Sequence, residues 1–220
     1  MGGCRGGHRS RPWLFHIAVD TYDPAGGAEL EEWRRAELRA DTSLVRELWD
    51  FLDSRRDEED YQAAVASLRS DPRLYDRMVA AAILANFADR DEAWWVLVET
   101  LRERDGAAKV IAASVLTSRS RAEPRDVDWG PAAPSIHALL NGTGLFQLRS
   151  TLQWLPRMGA APRWSGEFLA DGGQMVLAYL AAEHPPTRTA AHRFLVAMRG
   201  EDLGSDPAVW RAWIDSLPRP

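Results

Sequence analysis

Five leucines along the chain are each followed, eight or nine residues later, by a basic residue that opens a second pattern: basic, two residues, then a small or apolar residue. The sets are Leu38/Arg46/Trp49, Leu68/Arg77/Ala80, Leu101/Lys109/Ala112, Leu140/Arg149/Leu152 and Leu180/Arg188/Ala191. Their basic positions are 31, 32, 40 and 39 residues apart. A period of that length fits a two-helix unit that cannot bury its apolar face alone and must stack on its neighbours. The expected fold is all-α, an α-α superhelix: a solenoid of about five helical hairpins closed by a C-terminal capping helix.

Apolar stripes at helical intervals place the units. Residues 1–26 stand outside the repeat as an N-terminal tail, in which Trp13 to Val19 reads as a short strand or apolar segment, and residues 27–220 form the repeat domain. The first unit spans about residues 28–55, with its turn at Asp41 to Ser43. The second pairs Tyr61, Val65 and Leu68 with Leu74, Met78, Ala81 and Leu84 across Asp71-Pro72, where Asp71 is expected to cap the second helix. The third carries Trp94, Leu97, Val98 and Leu101 before the Asp105-Gly106 turn, and the fourth turns at Gly142 to Gly144 and stops near Pro156. The fifth turns at His184 to Thr187 and ends at Gly200, after which Asp206-Pro207 opens a last helix containing Trp210, Trp213 and Ile214.

A turn acid followed by the basic and small residues of a second helix resembles the HEAT and armadillo-like repeats, over roughly residues 28–217. Asp71/Arg77/Ala80, Asp105/Lys109/Ala112 and Glu183/Arg188/Ala191 carry that resemblance. It implies a ladder of acid-base pairs between successive hairpins and a function in binding macromolecules. The fourth unit departs from the pattern, with Gly and Thr at its turn and Leu152 and Trp154 in the following helix.

Composition narrows the functional classes. With 27 basic against 32 acidic residues the net charge is -5, against the basic excess of a general nucleic-acid binder. Lys109 is the single lysine, which fits the codon usage of a GC-rich bacterium. One cysteine, Cys4, excludes a cysteine metal cluster and an intrachain disulfide, and fits a cytoplasmic protein. Small residues before Cys4 also resemble the end of a bacterial lipoprotein signal, so a lipid anchor there is the alternative if the start is misplaced.

The histidines His8, His16, His137, His184 and His192 are scattered without ligand spacing, and no nucleophile elbow, phosphate loop or dinucleotide fingerprint occurs. No catalytic residue, metal or cofactor is expected. Asp57 to Asp60 reads as an acidic first turn that complements a helix dipole.

Two segments break the repeat, Thr117 to Pro134 and Gly159 to Gly173, and insertions of this kind tend to carry function. Arg125 near Trp129 and Arg163 beside Trp164 are therefore expected to anchor a partner, with Arg149 and Arg188 contributing from a basic stripe along the second helices. The expected activity is a non-catalytic scaffold or adaptor for a protein partner. The alternative is DNA binding, by resemblance to the helical-repeat alkylpurine DNA glycosylases, which use Trp and Asp in a concave groove. A third class, a chaperone-like or lyase-like repeat protein acting on a tetrapyrrole-bearing partner, follows from fold analogy alone.

Overall fold

The acidic run at Asp57 starts a helix by reciprocal capping. The Asp57 carboxylate accepts from the Asp60 amide at 2.8 Å, and the Asp60 carboxylate accepts from the amides of Asp57 and Arg56. Burial pushes the Asp60 carboxyl up, yet its bonds to Arg55 and to these two amides together hold it below the usual carboxylate range. The computed structural model describes residues 50–102, 106–142, 145–170 and 172–219. The tail 1–26, its strand-like segment, the Asp41/Arg46 turn and most of the first hairpin lie outside the described residues.

After the helical residues 50–54 come α1 (Glu58–Ser70), α2 (Leu74–Ile83), α3 (Asp91–Thr100), α4 (Gly106–Ala122) and α5 (Ala133–Asn141). Then follow α6 (Leu145–Trp154), the short α7 (Ser165–Leu169), α8 (Gln174–Leu180), α9 (Pro185–Arg199) and α10 (Pro207–Asp215). Tight 3-10 turns prolong α2 over Leu84–Phe87 and α6 over Leu155–Met158. No strand occurs among the described residues, and the fold is all-α.

Helices α1 and α2, α3 and α4, α5 and α6, and α8 and α9 pack as hairpins. The first helices also pack in succession, α1 on α3, α3 on α5, α5 on α8 and α8 on α10. The second helices do the same, α2 on α4, α4 on α6 and α6 on α9.

A shared register explains that order. The fourth residue of each first helix is a buried anchor: Tyr61, Trp94, Ile136, Leu177 and Trp210. Trp94 and Trp210 use their indole N-H in the same way, donating to the carbonyl six residues back, at Ala88 (2.8 Å) and Gly204 (2.7 Å). On the second helices, Ala80, Ala112, Leu152 and Ala191 are all buried, as are the leucines Leu68, Leu101, Leu140 and Leu180 of the repeat. The spacing thus marks packing positions, since a small side chain lets neighbouring helices approach.

Several helix ends match their sequence signals. Asp206 caps α10 by accepting from the Ala208 amide, and Gly200 closes α9 in the left-handed conformation at φ 81°. The Asp71-Pro72 turn differs. Asp71 ends α1 and accepts from the Arg73 amide at 2.8 Å, so α2 starts later, at Leu74, without a side-chain cap.

Of the expected acid-base ladder, Asp71 pairs with Arg73 at 3.4 Å, Asp105 lies outside the described residues, and Glu183 and Arg188 are both exposed. Ion pairs also link successive units through the first helices. Arg69 reaches Glu92 and Glu99 at 3.3 Å, Arg90 reaches Glu58 at 2.7 Å, and the Tyr61 hydroxyl donates to Glu92 at 2.9 Å. Burial, and then that bond to Glu92, push the Tyr61 hydroxyl well above its usual range.

If the alanines are close-packing positions, Ala191→Leu overfills the contact between α9 and its neighbours. The expected loss is about 1–3 kcal/mol, read as a lower urea midpoint with an unchanged slope. An equal substitution at exposed Ala178 is expected to leave the midpoint within about 0.5 kcal/mol.

Candidate functional site

The two interruptions of the repeat are largely helical, and each buries a tryptophan. Helix α4 continues through the polar run 117–122, where the hydroxyls of Ser118 and Ser120 bond back to the carbonyls of Val115 (3.2 Å) and Thr117 (3.0 Å). Within residues 159–173, Pro162–Trp164 forms a 3-10 turn that runs into α7, burying Trp164, Phe168 and Leu169.

The interruptions also pack on one another. The amide of Val127 and the indole of Trp129 both donate to the Met158 carbonyl, at 3.3 and 2.8 Å. Gly159 sits at φ 82° with Asp126 so close that a Cβ would overlap its backbone. Glycine is required there for both reasons.

The second interruption is fixed to the hairpins on either side. Asn141 donates to the carbonyls of His137 (2.9 Å) and Phe168 (3.3 Å) while accepting from the Gly173 amide, and the Ser165 hydroxyl donates to the Met198 carbonyl at 2.5 Å. The extra residues that lengthen the period therefore fill space between units.

This arrangement corrects the expectation for the tryptophan anchors. Trp129 is 0% exposed and Trp164 is 9% exposed; Trp129 lies against Trp154 with ring centroids 5.8 Å apart, and Trp164 stacks on Phe168. Neither presents a face to a partner. Arg125 is likewise turned inward, donating to the Ala88 carbonyl at 3.0 Å and pairing with Asp91. The same Asp91 carboxylate accepts from the Asp128 amide at 3.0 Å, and the Trp95 indole donates to the Asp128 carbonyl at 2.6 Å. These bonds fasten residues 125–128 to the start of α3. Arg163 is exposed, lies 3.9 Å from Asp126 and covers the edge of the Trp164 site from outside.

Arg149 and Arg188 are placed otherwise. Both are exposed, on α6 and α9, and neither meets a carboxylate among the described residues. They belong to a segregation of charge that the overall acidic balance conceals. Helices α4, α6 and α9 carry Lys109, Arg119, Arg121, Arg149, Arg188, Arg193 and Arg199 without one acidic residue. In contrast, α1 and α3 carry Glu58, Glu59, Asp60, Asp91, Glu92 and Glu99 against the single Arg69.

Of the basic set, Arg119 and Arg199 are neutralised by Glu123 (3.0 Å) and Glu201 (3.4 Å). Lys109, Arg121, Arg149, Arg188 and Arg193 have no carboxylate partner among the described residues. Lys109, Arg149 and Arg188 take the fourth or fifth position of their helices, one unit apart. Arg157, exposed at the end of α6, returns a hydrogen bond to Gln153 and extends the basic side of that helix.

Chemically, such a surface has the charge to attract anions. No group of three or more metal-ligating side chains occurs among the described residues. His192 is paired with Asp202 at 2.8 Å, and the Asp202 carboxyl is held below its usual range first by the Gly204 amide and then by His192. None of the described tryptophans is exposed, since Trp95 and Trp213 are half-buried and the others internal, so no indole face is offered for base stacking. The signal for this site was present in the sequence as helix-by-helix charge, which the net value averages away. Among the described residues, no helix is long and apolar enough to cross a membrane.

No family model, no curated protein and no solved structure matches the chain.

Two substitutions separate internal from surface roles. Trp129→Ala is expected to cost about 3–5 kcal/mol of stability, measured by urea unfolding. Asp91→Ala frees residues 125–128 from α3, and amide exchange at Val127 and Asp128 is expected to accelerate while that of α9 stays unchanged.

Proposed function

We propose that this protein is a non-catalytic binding scaffold, a HEAT-like solenoid whose second helices present a basic face to a macromolecular partner, most directly another protein. The observation that carries the reading is the set of cations on α4, α6 and α9 that meet no carboxylate among the described residues. Charges left without partners contribute little to folding, and together they raise the local attraction for an anionic surface.

The packing order supports the solenoid. Successive first helices and successive second helices touch, and the hairpins keep a common register at Tyr61, Trp94, Ile136, Leu177 and Trp210. In such an array the second helices line one continuous side, so one residue per helix repeats as a row. The function is then one of position: the hairpins hold Lys109, Arg149 and Arg188 in line, and the packed interruptions keep the third and fourth units from shifting.

The face is tested by photo-crosslinking in the native cell. A photoreactive residue replacing Gln153 on α6 is expected to give a discrete protein adduct, whereas one replacing Gln62 on α1 gives none. Adducts from Gln62 alone would place binding on the acidic side, and nucleic-acid adducts from Gln153 would favour the DNA-binding reading.

A further inference from the structure

The basic face has a spacing as well as a charge, and the spacing restricts what fits it. We infer that its occupant is an extended acidic segment of a partner protein, crossing α4, α6 and α9 in turn with a carboxylate at about every third residue. This rests on the reading of the second helices as the binding face.

Helix α4 packs directly on α6, and α6 on α9. Packed helices lie about 8–10 Å apart, and a segment extended in the polyproline II form advances about 3.1 Å per residue with every third side chain on one side. Three residues therefore carry the segment from one helix to the next. Lys109, Arg149 and Arg188 occupy matching turns of the three helices, so carboxylates at that interval meet them in succession. The two exposed guanidinium groups provide paired N-H donors that match a carboxylate geometrically.

Arg193, exposed five residues further along α9, adds a cation on a different side of the helix from Arg188. The described part of the chain supplies no carboxylate to these arginines, and α4, α6 and α9 have no acidic residue in their first turns, unlike α1 and α3.

A duplex nucleic acid fits less well. It presents one charge about every 1.7 Å, against five cations spread over three helices here, Lys109, Arg121, Arg149, Arg188 and Arg193. A second copy of the chain, offering its own acidic α1 and α3, is the remaining competitor.

The test uses the full chain and three labelled probes: a Gly/Ser peptide with glutamate at every third position, a peptide of the same composition with its glutamates in one block, and an oligothymidylate of equal charge. Anisotropy titration is expected to show the spaced peptide binding about tenfold more tightly than the blocked one. Its affinity is expected to fall as salt rises and to fall about tenfold or more in Arg149→Glu/Arg188→Glu. Arg193→Glu, a separate exposed site, is expected to weaken it less, with circular dichroism unchanged in both variants.

Equal affinity for the two peptides overturns the spacing, and tighter binding of the oligothymidylate overturns the polypeptide. Salt-sensitive self-association lost in Arg149→Glu/Arg188→Glu, seen by sedimentation, assigns the face to a second copy. A protein adduct from Gln153 without binding of either peptide leaves the scaffold reading standing and removes the acidic segment alone.

Discussion

The close packing of each second helix on the next is the constraint from which the other features follow. Ala80, Ala112 and Ala191 keep those contacts tight because a side chain ending at Cβ sets no wider separation between helices. Once that row is packed, the opposite row must present a large anchor at a fixed position, and Tyr61, Trp94, Ile136, Leu177 and Trp210 do so. The fourth unit, with Leu152 in place of alanine, is where the packing changes. It is also where the extra residues enter, with Trp129, Trp154, Trp164 and Phe168 filling the wider space.

Charge is segregated between α1 and α3, which are acidic, and α4, α6 and α9, which are basic. The first helices use theirs internally, through Arg69, Glu92 and Glu99 and through Arg90 and Glu58, and so connect one hairpin to the next. Surface pairs of this kind stabilise only modestly, by up to about 1 kcal/mol each, so they set alignment more than strength. On α4, α6 and α9, Lys109, Arg121, Arg149, Arg188 and Arg193 meet no carboxylate among the described residues.

The helical stripes, the hairpin turns and the buried leucines were legible in the sequence because local periodicity dictates them. Helix ends were legible where a strong cap acts, as at Asp206 and Gly200, and misread at Asp71, whose carboxylate serves the loop amide of Arg73. The roles of Trp129 and Trp164 were not legible. A tryptophan in a weakly periodic segment looks like a surface anchor, and only the meeting of two distant segments across Met158, Gly159 and Asp126 makes it interior. The pairing of Arg125 was not legible either, since its partner Asp91 belongs to the preceding hairpin. The exposure of Arg149 and Arg188 was easier to read, because an arginine on the outward side of a regular helix has no distant segment to meet.

A continuous basic face requires second helices that stack in one direction and do not close into a bundle. Dipolar distances between spin labels at Lys109→Cys, Arg149→Cys and Arg188→Cys, taken in pairs with Cys4→Ser, test this directly. Stacking predicts about 10 Å between helix axes for each adjacent pair and roughly 20 Å for the pair at 109 and 188, broadened equally by the label arms. A 109–188 separation as short as the two adjacent ones would contradict it.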